Sequence, residues 1–131
     1  MLAYLAIKYH EDNSNKALVD ALAGALEKAG VRTTIMARDI EEWGKHAFSA
    51  QELMRLTFEH IDAADILVVE FSEKGVGIGI EAGYAYARKK PIIIIAREGS
   101  EISSTLTGIA THILFYKQPS DLTSPLKRLK L

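Results

Sequence analysis

Two carboxylates and a run of glycines occur together in the stretch EFSEKGVGIGIEAG, which covers residues 70–83. The stretch follows a predicted strand and opens a predicted helix. Gly75, Gly77 and Gly79 would therefore let backbone amides approach a ligand closely. The N-terminus of the helix offers unpaired N–H donors and a partial positive charge, which suit an anion. The alternative is a flexible turn that, with Gly83, only lets the helix pack closely on a strand.

The two carboxylates of this stretch, Glu81 and Glu70, each allow a catalytic and a structural interpretation. Glu81 is predicted in the first helical turn, where the helix dipole favours an ionised carboxylate that can attack an anomeric carbon. Acidic residues are also common there simply because they stabilise the helix. Glu70 interrupts the apolar run ILVVEF near the end of a strand that we expect to be buried. Either the strand has reached solvent at Glu70, or this carboxylate is aimed at a ligand.

The other candidate residues indicate which kinds of chemistry to expect. Trp43 lies in a predicted loop, where it either stacks on a base or covers the edge of the core. The sequence has no cysteine, and its four histidines lack metal-ligand spacing, so we expect neither a metal site nor a cofactor. A Gly-x-Ser-x-Gly elbow and a phosphate-binding Walker loop are also missing from the sequence.

The elements that must position these residues alternate between strand and helix. Apolar or β-branched runs predict strands at residues 2–9, 31–36, 65–71, 91–96 and 112–116. Helical spacing predicts helices from a cap at Asn13 or Ser14 to Gly30, at about 50–62 after a cap at Ser49, at about 79–89, within 97–110, and from Ser120. Residues 37–48 are predicted to form a polar loop.

This alternation, together with the strand PIIIIA, predicts an α/β fold. A strand that is apolar on both faces belongs in a parallel sheet covered by helices on both sides. We therefore expect residues 1–131 to form a single domain with a flavodoxin-like, doubly wound, five-stranded parallel sheet in the order 2-1-3-4-5. Ligands of such folds bind beyond the carboxyl ends of the strands, which points to residues near 7–12, 37–44, 72–81 and 97–105.

The composition limits the possible partners and location. Of the 131 residues, 48% are apolar and 25% charged, which is typical of a globular protein. The formal net charge is -1, so there is no basic excess to bind a long nucleic acid. The first apolar run lacks a basic leader and is too short to span a bilayer. We expect a cytoplasmic protein with a small-molecule partner and no membrane association.

A combined motif runs from the third predicted strand to the fourth. It comprises Asp65, Glu70, Gly77, Gly79, Glu81, Gly83 and the pair Lys90-Pro91. This pattern resembles the nucleoside 2-deoxyribosyltransferase superfamily, and within it the branch of deoxynucleoside monophosphate N-hydrolases. The similarity is strong over about residues 60–96 and looser through Gly108.

The resemblance implies a nucleoside or nucleoside monophosphate substrate and no cofactor. Glu81 would attack the anomeric carbon and release the base, and the glycosyl-enzyme would then pass to water or to a second base, as in a retaining glycosidase. Tyr4 falls where the family often has a tyrosine near the nucleophile. Ser103 or Ser104 falls where the hydrolases bind phosphate across a dimer interface, so a homodimer or a tetramer is implied.

The sequence departs from this family at two places. Thr57 occupies the position of the usual catalytic aspartate, and the loop IKYHEDNSNK replaces a glycine-rich phosphate loop. Lys8 and His10, with Asn13 and Ser14, could still hold a phosphate or a sugar. Glu70 becomes the candidate acid, because burial would raise its pKa.

Three hypotheses remain open at this point. The first is an N-glycosidase or base-exchanging transferase, which Glu81 and Glu70 together favour. The second is a nucleotide-binding sensor that has lost catalysis, which the threonine at position 57 favours. The third is a flavodoxin-like interaction domain without a small ligand.

Overall fold

The computed structural model describes residues 1–131, in which strands and helices alternate along the chain. The five strands are β1 (Leu2–Ala6), β2 (Arg32–Thr34), β3 (Ile66–Glu70), β4 (Ile92–Arg97) and β5 (His112–Tyr116). The five α-helices are α1 (Lys16–Lys28), α2 (Ala50–Ala63), α3 (Val76–Ala87), α4 (Ser104–Thr107) and α5 (Thr123–Arg128). All strand pairs are parallel, in the order β2-β1-β3-β4-β5, which confirms the predicted flavodoxin-like topology.

The sheet divides the core into two layers, because alternate residues of a strand point to opposite faces. In β4, Ile93 and Ile95 pack with side chains of α1 and α5, whereas Ile92 and Ile94 pack with side chains of α2 and α3. In β3, Val68 belongs to the α1 layer. This double burial explains why the sequence IIII is apolar at every position.

The first two strands end earlier than predicted. β1 ends at Ala6 instead of residue 9, and β2 ends at Thr34 instead of residue 36. Residues 36–40 form a π-helical turn and residues 42–44 a 3-10 turn, where the sequence predicted a polar loop from residue 37. The chain therefore leaves the sheet early and folds over the carboxyl ends of both strands.

Helix α3 begins at Val76, about three residues before the predicted start. The glycines had suggested a loop because glycine is a poor helix former. Tertiary packing outweighs this preference, since Ile78, Ala82 and Ala85 are buried against the sheet. Glu81 consequently lies in the second helical turn and not in the first.

The predicted helix caps are right in one case and wrong in another. The Ser49 hydroxyl accepts a hydrogen bond from the Glu52 N–H at 3.1 Å and caps α2 as expected. Helix α1 starts after Asn15, without a side-chain cap. The predicted cap Asn13 instead donates to the Trp43 carbonyl at 3.0 Å. None of the five helices is both long and apolar enough to cross a membrane.

Candidate active site

A cavity of about 250 Å³ lies beyond the carboxyl ends of β1 and β2 and is bordered by α2, α3 and residues 36–43. In a sheet of this order, β1 and β3 mark the switch point at which ligands bind. Six of the predicted site residues line the cavity together: Tyr4, Lys8, His10, Trp43, Gly77 and Glu81. They come from separate parts of the sequence that converge at one edge of the sheet.

The carboxyl group of Glu81 is buried in a way that the sequence did not predict. Its Oε2 atom is inaccessible to solvent and has no hydrogen-bond partner. Burial raises the pKa of Glu81 to about 8, and the neighbouring Tyr4 hydroxyl offsets only part of this effect. The direction of this shift is opposite to the one expected from the helix dipole. The dipole acts mainly on the first turn, and desolvation dominates in the second.

Tyr4 occupies the strand next to this carboxyl, and it is 2% exposed. Burial, followed by the negative charge of Glu81, raises the pKa of the Tyr4 phenol above its ordinary range. Tyr4 therefore remains a neutral phenol at physiological pH. As such it can donate a hydrogen bond to an ionised Glu81, but it gives up its proton poorly.

Thr57 also lines the cavity, from the buried side of α2. Its hydroxyl donates a hydrogen bond to the Leu53 carbonyl of the preceding helical turn at 2.8 Å. The proton is thus committed to the helix backbone. A threonine hydroxyl has no acidity at neutral pH, so this position supplies no proton to a leaving group.

Glu70 lies on the opposite face of β3 from the Glu81 cavity. Side chains alternate along a strand, so Glu70 shares the face of Ile66 and Val68 in the α1 layer. It lines a second cavity of about 60 Å³, which shares Ile7, Lys8, His10 and Asn15 with the lining of the Glu81 cavity. Glu70 itself does not line the Glu81 cavity, contrary to the expectation that it supplies the acid there. The alternative that the strand reaches solvent is also wrong, because Glu70 is 3% exposed.

The buried Glu70 carboxylate belongs to a hydrogen-bond network at the ends of three strands. It accepts hydrogen bonds from the Ser72 N–H at 2.6 Å, from the Ser72 hydroxyl at 2.8 Å and from the Tyr116 hydroxyl. The Ser72 hydroxyl in turn accepts from the Arg97 N–H at 2.9 Å. These bonds join the ends of β3, β4 and β5, which indicates a structural role.

Four other predicted site residues lie outside the Glu81 cavity. Gly75, Gly79 and Ser103 line a separate, larger groove of about 730 Å³ between α3 and α4, and Ser104 begins α4. Gly75 precedes α3 in extended backbone, while Gly77 and Gly79 are helical. The expectation that all three glycines open a single site for a ligand is wrong, because the early start of α3 directs them to two different surfaces.

Trp43 has an unusual backbone conformation beside the cavity. Its φ of 59° and ψ of 33° lie in the left-handed region, and Glu42 and Gly44 also have positive φ. Such strain persists only where the surroundings enforce it. Here the Asn13 side chain holds the Trp43 carbonyl, and the Lys16 ammonium lies 5.5 Å from the centre of the indole ring. The ring lines the cavity and also packs on the α1 layer of the core.

Glu41 is a cavity residue that the sequence did not single out. It is half-buried, and burial raises the pKa of its carboxyl. Its N–H donates to the Met36 carbonyl at 2.9 Å, which closes the π-helical turn. The sequence placed position 41 near the ends of the strands, where a ligand was expected. It gave no reason why Glu41, and not its neighbour Glu42, should point into the cavity.

The sheet order and the position of the cavity define a flavodoxin-like α/β protein with a candidate ligand site at the switch point of its sheet. Residues 3–117 match the nucleoside 2-deoxyribosyltransferase family, so the chain belongs to that family. This confirms the resemblance seen in the sequence motif.

Individual relatives agree with this assignment. A Thermofilum pendens protein with the provisional name 2′-deoxynucleoside 5′-phosphate N-hydrolase 1 is 32% identical over 133 residues, covering 98% of this chain and 92% of the relative. Clostridium botulinum CMP N-glycosidase shares the fold with a TM-score of 0.70 at 19% identity, and all of both chains is covered. The 2-deoxyribosyltransferase of Bacillus psychrosaccharolyticus shares it with a TM-score of 0.71 at 20% identity, and 96% of both chains is covered.

Proposed function

We propose that this protein cleaves the N-glycosidic bond of a nucleoside or nucleoside monophosphate and passes the sugar to water or to a second base. The observation that carries this proposal is the buried Glu81 Oε2, which has no partner and belongs to a cavity-lining carboxyl. Family membership and the N-hydrolase name of the Thermofilum pendens relative support the same chemistry.

In the proposed mechanism, Glu81 attacks the anomeric carbon while the bond to the base nitrogen breaks. The bonding electron pair leaves with the base, and the sugar becomes an ester of Glu81. Water or a second base then displaces Glu81, and the configuration at the anomeric carbon is retained after two inversions. A sugar hydroxyl that donates to Oε2, together with the Tyr4 phenol, would favour the ionised form of Glu81 in the complex.

The rest of the cavity suits the other parts of such a substrate. Lys8 places a cationic side chain in the lining, which suits a phosphate. His10 is held between the Ser14 hydroxyl and the Glu73 carboxylate, at 3.0 Å from each. The Trp43 ring offers a flat surface for a base.

A second candidate function is nucleotide sensing without catalysis. It is favoured by Thr57, whose hydroxyl is bonded to the helix backbone where family enzymes carry an aspartate. In this case Glu81 would accept a hydrogen bond from the sugar and would form no covalent intermediate.

Incubation with a panel of nucleosides and monophosphates, in ribose and deoxyribose forms, separates the two functions. We expect chromatography to detect free base from at least one member. If calorimetry detects binding but no base is released, the sensor hypothesis replaces the enzyme hypothesis. If the protein neither binds nor cleaves any member, the hypothesis of an interaction domain without a small ligand remains.

We also propose that two copies of the chain associate through α3, as a dimer or as part of a tetramer. This helix is apolar on both sides. Ile78 and Ala82 are buried, while Val76, Ile80 and Tyr86 are 83%, 46% and 58% exposed. Helices that are apolar all round are normally covered. The groove between α3 and α4 also contains Ser103, so a second copy seated there would meet that hydroxyl.

Sedimentation velocity at micromolar concentration tests this association, and we expect a dimer or a larger assembly. Ile80→Glu places a charge on the exposed apolar side of α3 and should shift the protein to monomer. Phe115→Glu is the matched control, since Phe115 is 47% exposed on β5, at the edge of the sheet. A monomeric wild type, or dissociation by Phe115→Glu alone, would contradict the proposed interface.

A further inference from the structure

A departing nucleobase needs a proton donor, and most of the obvious donors in this chain are unsuitable. Thr57 is not acidic, and its hydroxyl is bonded to the Leu53 carbonyl. Glu70 is on the other face of the sheet, within the Ser72 and Tyr116 network. The pKa of Tyr4 is raised by burial, so this phenol is a weaker acid than usual. If the chain is a glycosidase, the candidates for its acid are the other titratable residues of the cavity.

Only two carboxyl groups line the cavity, those of Glu81 and Glu41. They come from different elements: Glu81 from α3, and Glu41 from the end of the π-helical turn at residues 36–40. Both lie close enough to Tyr4 for their charges to raise its pKa. The cavity therefore has a pair of carboxyls around one phenol, and a pair of carboxyls is the usual catalytic set for glycosidic cleavage.

The backbone of Glu41 is held firmly while its side chain is left free. The Glu41 N–H donates to the Met36 carbonyl at 2.9 Å, and the Glu41 carbonyl accepts from the N–H groups of Gly44 at 3.0 Å and His46 at 3.1 Å. The carboxyl group forms none of the side-chain hydrogen bonds or ion pairs of the structure. By contrast, the Glu42 carboxylate is exposed and pairs with His46 at 2.5 Å. The backbone of Glu41 is thus fixed, while its carboxyl group has no hydrogen-bond partner within the chain.

We propose that Glu41 is the general acid–base residue of the proposed N-glycosidic cleavage, in place of the family aspartate. In the first step, Glu81, which the bound sugar keeps ionised, attacks the anomeric carbon and forms the ester, while the Glu41 carboxyl gives its proton to the base nitrogen as the bond between that nitrogen and the anomeric carbon breaks. In the second step, the Glu41 carboxylate takes a proton from water, which attacks the anomeric carbon and frees Glu81. Sugar and protonated base are the products, and both carboxyls return to their starting states.

The surroundings of Glu41 support this assignment. The other titratable groups of the cavity are Tyr4, Lys8, Tyr9, His10 and Glu81. Burial raises the pKa of Glu41, which is the direction that keeps an acid protonated nearer neutral pH. The proposal rests on the proposed function, because without cleavage no acid is needed.

The test compares two leaving groups on the same sugar: the base of a nucleotide that the wild type cleaves, and 4-nitrophenolate, which departs without a proton. We expect Glu41→Gln to lower kcat/KM for the nucleotide about 100-fold or more, and for the nitrophenyl compound less than about threefold. Glu42→Gln is the matched control and should change neither. Azide needs no general base, so with the nitrophenyl compound, whose first step needs no acid, it should restore turnover by Glu41→Ala and yield a glycosyl azide of retained configuration.

Each alternative outcome is distinguishable from the others. Equal losses with both leaving groups, without rescue by azide, would assign Glu41 to binding or structure and overturn the proposal. An unchanged rate for the nucleotide would overturn it as well. If the wild type cleaves no member of the panel, the proposed function fails, and the role of Glu41 fails with it.

Discussion

Glu81→Gln is expected to reduce glycosidic cleavage by about three orders of magnitude or more, because an amide cannot act as the nucleophile. The substitution preserves the shape of the side chain, so nucleotide binding should remain measurable by calorimetry. Glu59→Gln is a suitable control, since that carboxylate is 59% exposed on α2 and pairs only with Arg55. Cleavage by Glu81→Gln at the wild-type rate would refute the covalent mechanism.

The same variant has a second expected effect, on stability, that does not depend on substrate. The pKa of Glu81 is about 8 in the folded chain, against about 4.3 in an unfolded one. Between these values the folded state binds the extra proton, so the free energy of unfolding of the wild type falls as the pH rises. Glu81→Gln does not bind this proton and should gain roughly 3 kcal/mol relative to the wild type between pH 5 and pH 7.

Urea denaturation of both proteins at several pH values measures this difference. A difference that does not change with pH would mean that Glu81 is solvated and ionised in the folded state. In that case the helix dipole, and not desolvation, would dominate its environment.

Glu70→Ala is expected to destabilise the fold by about 3 kcal/mol, because it leaves one buried and two partly buried donors without an acceptor. These are the N–H and the hydroxyl of Ser72 and the hydroxyl of Tyr116. Tyr116→Phe removes one donor together with its need for a partner, so it should cost less, about 1 kcal/mol. The double variant should be less destabilised than the sum of the two, since both changes affect one network.

Glu70→Gln distinguishes the structural role from the catalytic one. The amide presents N–H donors to groups that are themselves donors, so urea denaturation should show a clear loss of stability. The kcat/KM of the folded fraction, corrected for unfolded protein, should stay within about threefold of the wild-type value for a base leaving group. A stable Glu70→Gln protein that has lost cleavage would show that Glu70 acts in the reaction after all.

The topology of the fold could be predicted from the sequence because burial of a strand on both faces leaves a local, repeated apolar pattern. The run Ile92–Ile95 is apolar at every position, which only a strand covered on both faces requires. The rule that ligands bind beyond strand ends then brought Lys8, Trp43 and Glu81 to one edge, whereas Tyr4 was predicted only from the family resemblance.

Three features were not readable, and each depends on tertiary packing or on a single hydrogen bond. The start of α3 depends on Ile78 packing against the sheet, which outweighs the low helix propensity of the glycines. Glu70 points to the face of β3 that α1 covers, whereas Glu81 belongs to α3, which covers the other face. The inward position of Glu41 depends on the π-helical bond to Met36, which a sequence of two adjacent glutamates does not reveal.

The location of the Glu70 network has a consequence for how this chain can be redesigned. The network and the Glu81 cavity share no hydrogen-bond partner, and sites without shared partners contribute additively to stability. Libraries that vary Trp43 and its neighbours to admit a different base would therefore leave the bonds joining β3, β4 and β5 intact. Positions around Trp43 can be diversified for new substrates, while the bonds around Glu70, Ser72 and Tyr116 offer a different place to add thermal tolerance.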